Sequence, residues 1–370
     1  MRVVIAGGGT GGHTSAGLAV AAALQQHGGA DIFWIGSRTG IEARRVPEAG
    51  LPFRVISVGK LRRYWDWQNV PDLAVRAPAG LVQAWRLLRR LRPAVLFATG
   101  GFVALPPALA ARALAIPIVV HEQTSVPGLA NRIVARFARH IALSFPSSGD
   151  GFPAERTSIT GNPLRPEVSG GSREAAYRRF GLDPAAPIVY VTGGAQGSHA
   201  INRMVGEILP ALLGICQVIH QTGDNAETGD RAWLAGRAQA LAEPLRRRYA
   251  HLAYVGAELR DVYAAVELVI GRSGAGTVNE CLHLGKAAIY IPLPGTSGDE
   301  QTANAHLVET AGGGVVIPQA SLTPAGLLDA VTRLLADPGV LRTMGGRARS
   351  LAVPDAAERI ARLIFEAAAG

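Results

Sequence analysis

Lysine and cysteine are scarce in this chain, and each scarcity narrows its class. Lys60 and Lys286 are the only lysines among 37 Lys and Arg residues, so a formal net charge of +9 rests almost wholly on arginine. An arginine-preferring genome gives such a surface by default. The functional alternative is an anionic partner: nucleic acid, an acidic membrane face or a phosphorylated substrate. No zinc knuckle, RNP-like aromatic motif or lysine-arginine tail supports nucleic acid. Cys216 and Cys281 have the spacing of neither a disulfide framework nor a metal site, and buried free thiols are expected. No apolar run reaches the ~20 residues of a membrane span. The start, MRVVIAGGG, turns to glycine before the roughly 7–15 apolar residues of a signal peptide, so a mature cytosolic start is expected. No glycine turn is followed by Lys-Ser or Lys-Thr, which excludes a P-loop.

Apolar residues and glycine are plentiful. At 370 residues, 48% of them hydrophobic, the chain has the length of two domains and the material for a large core. Apolar runs at 3–6, 32–36, 53–58, 94–98, 116–121 and 140–145 alternate with helix-forming stretches such as 16–26 and 104–115. Around 146–175 the chain turns rich in Gly, Pro and Ser. Strand-like runs then resume at 187–191, 217–221, 252–255, 267–271 and 287–291. This alternation predicts βα units and parallel sheets. Two Rossmann-like α/β domains facing across a cleft are expected, with a linker near 160–170.

Three glycine clusters follow predicted strands: GGGTGGH at 7–13, TGG at 99–101 and TGGAQG at 192–197. Such turns aim backbone N–H groups at phosphate, beside the positive end of a helix. Gly7, Gly9 and Gly12 also satisfy the dinucleotide pattern G-x-G-x-x-G, which makes an oxidoreductase the competing reading. That reading wants an acid at the end of the second strand, where the chain has Ser37 and Arg38. Arg38 leaves an NADP variant open, but the turn at 193–197 stays unexplained. His13, at a helix start beside the first turn, is a candidate base with a pKa lowered by the helix dipole; a structural histidine is the alternative. In RSGAGTVNE, 272–280, the glycines suit a phosphate turn. Glu280 follows as a candidate for both ribose hydroxyls, or as an acid that only complements the helix dipole.

Taken in order, GGGTGGH, TGGFVALP at 99–106, HEQTSVPGLANR at 121–132, GNPLR at 161–165, GGAQGS at 193–198, RSGAGTVNE and DEQTANA at 299–305 resemble the MurG family of peptidoglycan N-acetylglucosaminyltransferases, essentially end to end. The resemblance implies the two-domain GT-B glycosyltransferase fold. It implies 1–163 as the acceptor and membrane-facing domain, with 353–370 packing back on it, and 164–352 as the UDP-GlcNAc-binding domain. It implies inverting transfer of GlcNAc from UDP-GlcNAc to the 4-hydroxyl of MurNAc in lipid I, forming lipid II, by a peripheral enzyme at the cytoplasmic membrane face. A different lipid or small-molecule acceptor is the neighbouring alternative. With no Asp-x-Asp motif, no metal is indicated, and no cofactor is expected beyond the donor substrate.

The roles it implies fall on single positions. Thr10, Gly11 and Gly12 face the donor sugar and the acceptor pyrophosphate, with His13 the candidate base, while Gly9, Gly100 and Gly101 lie on the acceptor side. Arg165 lies near the donor, Gly194 and Gln196 bear the UDP phosphates, and Val255-Gly256 reads uracil through its backbone. Ala275, Gly276 and Thr277 form a phosphate-facing helix start, Glu280 is the ribose acid, and Gln301 contacts the donor sugar. Three positions depart from the family pattern. Thr124 replaces an asparagine, so a hydroxyl stands in for an amide toward the sugar. Ala195 replaces a serine at the phosphates, with Ser198 close enough to compensate. Glu300 stands where His or Gln is usual.

Residues 61–92 combine Trp65, Trp67, Leu81, Trp85 and Leu88 with many arginines. An ordinary packed helix with a basic face is one reading. An interfacial patch on anionic lipid is the other, and a polyprenyl-linked acceptor favours it.

Overall fold

The computed structural model describes residues 1–59, 76–165, 168–223 and 225–370. The chain divides into two compact units. Unit 1 is Met1–Arg165 with Val353–Gly370, and unit 2 is Pro166–Ala352.

Unit 1 carries a seven-stranded sheet: β1 (Arg2–Gly7), β2 (Asp31–Gly36), β3 (Phe53–Val55), β4 (Val95–Gly100), β5 (Ile118–Glu122), β6 (His140–Leu143) and β7 (Thr157–Ile159). The strand order is β3-β2-β1-β4-β5-β6-β7, and every pairing is parallel. Parallel strands are covered on both faces, so the central ones read as unbroken apolar runs. Alternation still sorts their side chains. Val3 and Ile5 join a core with Val20, Leu24, Trp34 and Phe97, while Val4 and Ala6 join one with Leu96, Ala98, Ala84 and Leu88. The C-terminal helix Ala356–Ala369 completes the first of these cores through Ile360, Ala361, Ile364 and Ala367, each fully buried.

Unit 2 repeats the plan with six strands: β8 (Ile188–Thr192), β9 (Gln217–Gln221), β10 (Tyr249–Leu252), β11 (Leu268–Gly271), β12 (Ala287–Tyr290) and β13 (Gly314–Val316). Their order is β10-β9-β8-β11-β12-β13, again all parallel. In each unit the order reverses once, between β1 and β4 and between β8 and β11. Ligands of open α/β sheets bind beyond the strand ends at such a reversal.

The larger differences from the sequence reading lie at sheet edges, while the interior β5 and β6 shift by two residues at one end, to 118–122 and 140–143. β7 and β13 were not expected. β3 ends at Val55 rather than 58, and β10 runs 249–252 rather than 252–255. An edge strand is covered on fewer sides and needs no continuous apolar run. Cys216 and Cys281 are buried free thiols. Among the described residues, no helix is long and apolar enough to cross a membrane.

Because Ile364 is buried among strand residues from the opposite end of the chain, Ile364→Ala should destabilise unit 1 by about 2–5 kcal/mol. A lowered urea midpoint at unchanged m-value would register this. An unchanged midpoint would contradict the packing of the C-terminal helix into that core.

Candidate active site

The reversal between β1 and β4 brings the first two glycine turns together: Gly7 pairs with Gly100, with a register shift after Ala6. The helix Gly11–Gln26 starts there, and its N-cap Thr10 makes no side-chain capping bond. Its first N–H groups are therefore left for another acceptor. His13 lies in the first turn and its Nδ1 is 2.8 Å from the Thr99 carbonyl. A carbonyl only accepts, so Nδ1 carries the proton and Nε2 the lone pair. The His13 pKa is lowered by desolvation on burial, opposed by Glu122, the Thr99 carbonyl and Glu42. Desolvation, rather than the helix dipole expected from sequence, is what keeps the imidazole neutral.

The second glycine turn makes room for that ring. A Cβ on Gly100 would lie 2.8 Å from His13 Cε1, and one on Gly101 would lie 3.2 Å from Cδ2 and 2.7 Å from the Gly8 carbonyl oxygen. Both residues also have left-handed φ, +101° and +75°.

Two buried carboxylates hold the surrounding loops, Glu42 the first glycine turn and Glu122 the segment after β5, and the sequence reading gave neither a role. Glu42 is fully buried; it accepts the Gly9 N–H at 2.9 Å, the Ser37 N–H at 3.0 Å and the Ser37 hydroxyl at 2.6 Å. An acid therefore does stand beyond β2, but the protein's own donors use it. That corrects the reading of an acid-free strand end and removes the carboxylate a dinucleotide ribose would need. It also spends the Gly9 amide, so Gly9 shapes the turn without offering its N–H to an acceptor. Glu122, at the end of β5, accepts from Thr124 N–H (3.1 Å), Thr124 hydroxyl (2.9 Å), Gly128 N–H (2.9 Å) and Asn131 Nδ2 (2.9 Å). The Thr124 hydroxyl is shared with the Val126 carbonyl at 2.7 Å. Thr124, expected to face the donor sugar, is thus buried and turned inward. Arg165 is half-buried at the end of unit 1.

In unit 2 the reversal between β8 and β11 sets the turn at 193–197 beside Arg272–Gly276. The helix Ala275–Leu284 begins at Gly274 with no side-chain cap, so the amides of Ala275, Gly276 and Thr277 head an open N-terminus. The helix His199–Ile215 differs, because Ser198 caps it by accepting the Ile201 N–H. Ser198 is buried in that role, which counts against its compensating for Ala195. Gln196 is exposed, and Gly194 and Ala195 are half-exposed; the Gly194 N–H is taken by Thr192 Oγ1 at 3.1 Å, so Gly194 shapes the turn without offering its amide outward.

Gln221 joins two of the expected donor contacts. Its Nε2 donates to the Gly194 carbonyl at 2.9 Å and to Thr192 Oγ1 at 3.1 Å, while its Oε1 accepts the Val255 N–H at 2.9 Å. The Val255 amide is consumed there, so it is not free to read a base through its N–H as expected. The sequence carried no signal for Gln221 beyond its place at the end of β9. Glu280 is half-buried and accepts a 2.8 Å hydrogen bond from Tyr263 Oη. Gln301 accepts the Leu293 N–H through Oε1, and its carbonyl accepts from Ser273 Oγ. Glu300 begins the same helix, half-buried, after two left-handed residues, Gly298 and Asp299. Arg272 is buried; it donates to the carbonyls of Ile291 and Pro292 and to Gln319 Oε1, and burial pushes its pKa down to about 10. Among the described residues, no cluster of three His, Cys, Asp or Glu could hold a metal.

The expected membrane patch divides. Trp65 and Trp67 lie outside the described residues. On the helix Ala77–Leu91, Leu81 is 37% exposed and Trp85 is half-buried under Arg89. Leu88 is fully buried in the core and cannot meet lipid, which corrects its assignment.

The chain matches the Glycosyltransferase family 28 N-terminal domain over residues 3–143 and the Glycosyltransferase family 28 C-terminal domain over residues 188–360. It is 39% identical to the UDP-N-acetylglucosamine–N-acetylmuramyl-(pentapeptide) pyrophosphoryl-undecaprenol N-acetylglucosamine transferase of a Nocardioides strain, over 100% of this chain and 99% of that protein. A transferase of the same name from Moorella thermoacetica is 37% identical, over 99% of each. Among solved structures, Acinetobacter baumannii MurG is similar with a TM-score of 0.74 and 28% identity, covering 99% of each chain.

Two buried histidines give the fold an acid-sensitive component. Burial pushes His121 down to about 4 and His220 down to about 3, from an ordinary 6.5. The unfolded chain therefore takes up these protons first, so their contribution is complete above about pH 6.5 and shrinks as pH falls toward 4 and 3. The unfolding free energy should decline below pH 6.5, by at most about 1.4 kcal/mol per pH unit per histidine, and the urea midpoint should fall with it. A midpoint flat from pH 7 to pH 5 would contradict their neutral burial.

Proposed function

Because the chain belongs to the MurG family of glycosyltransferases, we propose that it transfers GlcNAc from UDP-GlcNAc to the 4-hydroxyl of MurNAc in lipid I, forming lipid II. The observation that carries the reading is the His13 imidazole, neutral, with Nδ1 tied to the Thr99 carbonyl and Nε2 left as the basic nitrogen at an uncapped helix start. In the proposed step, Nε2 takes the proton of the acceptor hydroxyl. That oxygen forms its bond to the anomeric carbon as the bond from carbon to the UDP phosphate oxygen breaks, and UDP leaves with the electron pair on the opposite face. The nearby charge of Glu122, which raises the His13 pKa, favours the imidazolium that results.

Unit 2 supplies the donor side. The open helix N-terminus at Ala275–Thr277 and the turn at Ala195–Gln196, shaped by Gly194, receive the diphosphate, Glu280 the ribose, the stretch around Gly256 the base, and Gln301 with Glu300 the sugar. Arg165 adds charge on the donor. The acceptor pyrophosphate falls to Gly11 and Gly12 in the first turn and to the Gly100–Gly101 turn. We assign unit 1, Met1–Arg165 with Val353–Gly370, to the acceptor and unit 2, Pro166–Ala352, to the donor, two residues beyond the boundary expected from sequence, and no cofactor is required. The basic, partly apolar helix bearing Leu81 and Trp85 fits a peripheral enzyme at the cytoplasmic membrane face.

Labelled GlcNAc should move from UDP-GlcNAc to a lipid I analogue. His13→Gln should lower kcat by about 10²- to 10⁴-fold with UDP affinity retained. Near-normal turnover in that variant would refute the base. Transfer only to other acceptors would refute the substrate. Binding to vesicles should rise with anionic lipid and fall with salt; indifference to both would argue against the membrane face.

A further inference from the structure

Glu280 is held from behind by a buried phenol. Tyr263, in the helix Leu259–Ala265, is 1% exposed and donates its hydroxyl to Glu280 Oε2 at 2.8 Å. Its ring packs edge-on against Tyr190 of β8, with centroids 5.7 Å apart and planes at 78°. The Tyr190 hydroxyl reaches Gln221 Oε1 at 3.4 Å, and Gln221 is the residue tied to Gly194 and Val255. The buried layer behind Glu280 is thus continuous with the supports of the phosphate turn and the base segment.

A glutamate on a half-buried helix face has three rotatable side-chain bonds, and fixing them costs entropy. An ionised carboxylate has about four acceptor sites, so a buried donor on Oε2 restricts the side chain while leaving other sites for ribose hydroxyls. Desolvation on burial, with the facing Glu280 charge, pushes the Tyr263 phenol well above its ordinary value, so it stays a donor at every working pH. The phenol cannot follow the carboxylate outward, because its ring is locked against Tyr190.

We propose that Tyr263 is a positioning residue for nucleotide recognition: its hydroxyl orients the Glu280 carboxylate to accept the two ribose hydroxyls of the donor. The proposal rests on the reading of unit 2 as the UDP-sugar site. It assigns Tyr263 a readout that simple core packing lacks, namely dependence on the ribose hydroxyls.

Calorimetric titration of the full chain with UDP and with 2′,3′-dideoxy-UDP separates the two. The wild-type protein should prefer UDP. Tyr263→Phe keeps the ring and should weaken UDP by roughly three- to tenfold while leaving the dideoxy nucleotide unchanged. In transfer assays the same change should raise the KM for UDP-GlcNAc and spare kcat. In a Glu280→Ala background, adding Tyr263→Phe should cost UDP binding nothing further. Equal weakening of both nucleotides, or unchanged UDP affinity, overturns the positioning role while the donor reading stands. Failure of the wild-type protein to bind UDP overturns both.

Discussion

The 2.8 Å contact between His13 Nδ1 and the Thr99 carbonyl is the interaction on which the unit 1 chemistry depends. It ties the helix that follows β1 to the end of β4, across the one place where the strand order reverses. It also fixes the tautomer and leaves Nε2 as the basic nitrogen. The Gly100–Gly101 pair permits it, because a side chain at either position would occupy the volume of the ring or of the Gly8 carbonyl. The two glycine turns of unit 1 are therefore one device: one begins the helix, and the other makes space for the imidazole that helix carries.

Unit 2 uses the same topology for a different end. Its reversal point presents an uncapped helix and a glycine turn, and the histidine that opens the helix after β8, His199, is tied through Nδ1 to Asp230 at 2.8 Å rather than to a strand-end carbonyl and a facing glycine pair. In their place stands a buried layer, Gln221, Tyr190 and Tyr263, whose polar ends point at the segments expected to meet a nucleotide. In both units the groups that face outward are backbone amides and a few side chains. The groups that hold them are buried polar residues fully engaged with the protein: Glu42 and Glu122 in the first unit, Gln221 in the second. Buried polar groups of this kind make a loop specific because each has only one arrangement that satisfies it.

Much of this was legible in the sequence, and the pattern of what was not has a physical cause. The central strands announced themselves as apolar runs because helices cover them on both faces. The strands missed altogether, β7 and β13, and those most altered, β3 and β10, are the four sheet edges, whereas the interior β5 and β6 moved by only two residues. The glycine turns and His13 were visible because their chemistry is local. Glu42 was invisible because its partner Gly9 lies 33 residues away, and nothing in IEARR distinguishes a buried acid from a helix-start acid. Gln221 and Tyr263 were hidden for the same reason: each acts on residues brought close only by the parallel order of strands. Thr124 and Leu88 were misread because composition gives the character of a side chain and not the direction in which it points.

The central claim is a division of labour, with proton removal by His13 in unit 1 and donor binding in unit 2. Single-turnover transfer from a preformed UDP-GlcNAc complex, measured against pH alongside donor affinity, tests it most directly. The transfer rate should show an acid limb with an apparent pKa below 6.5, following the lowered His13 value, and donor affinity should stay flat over the same range. A transfer rate without that limb, or a donor affinity that falls along it, would contradict the account.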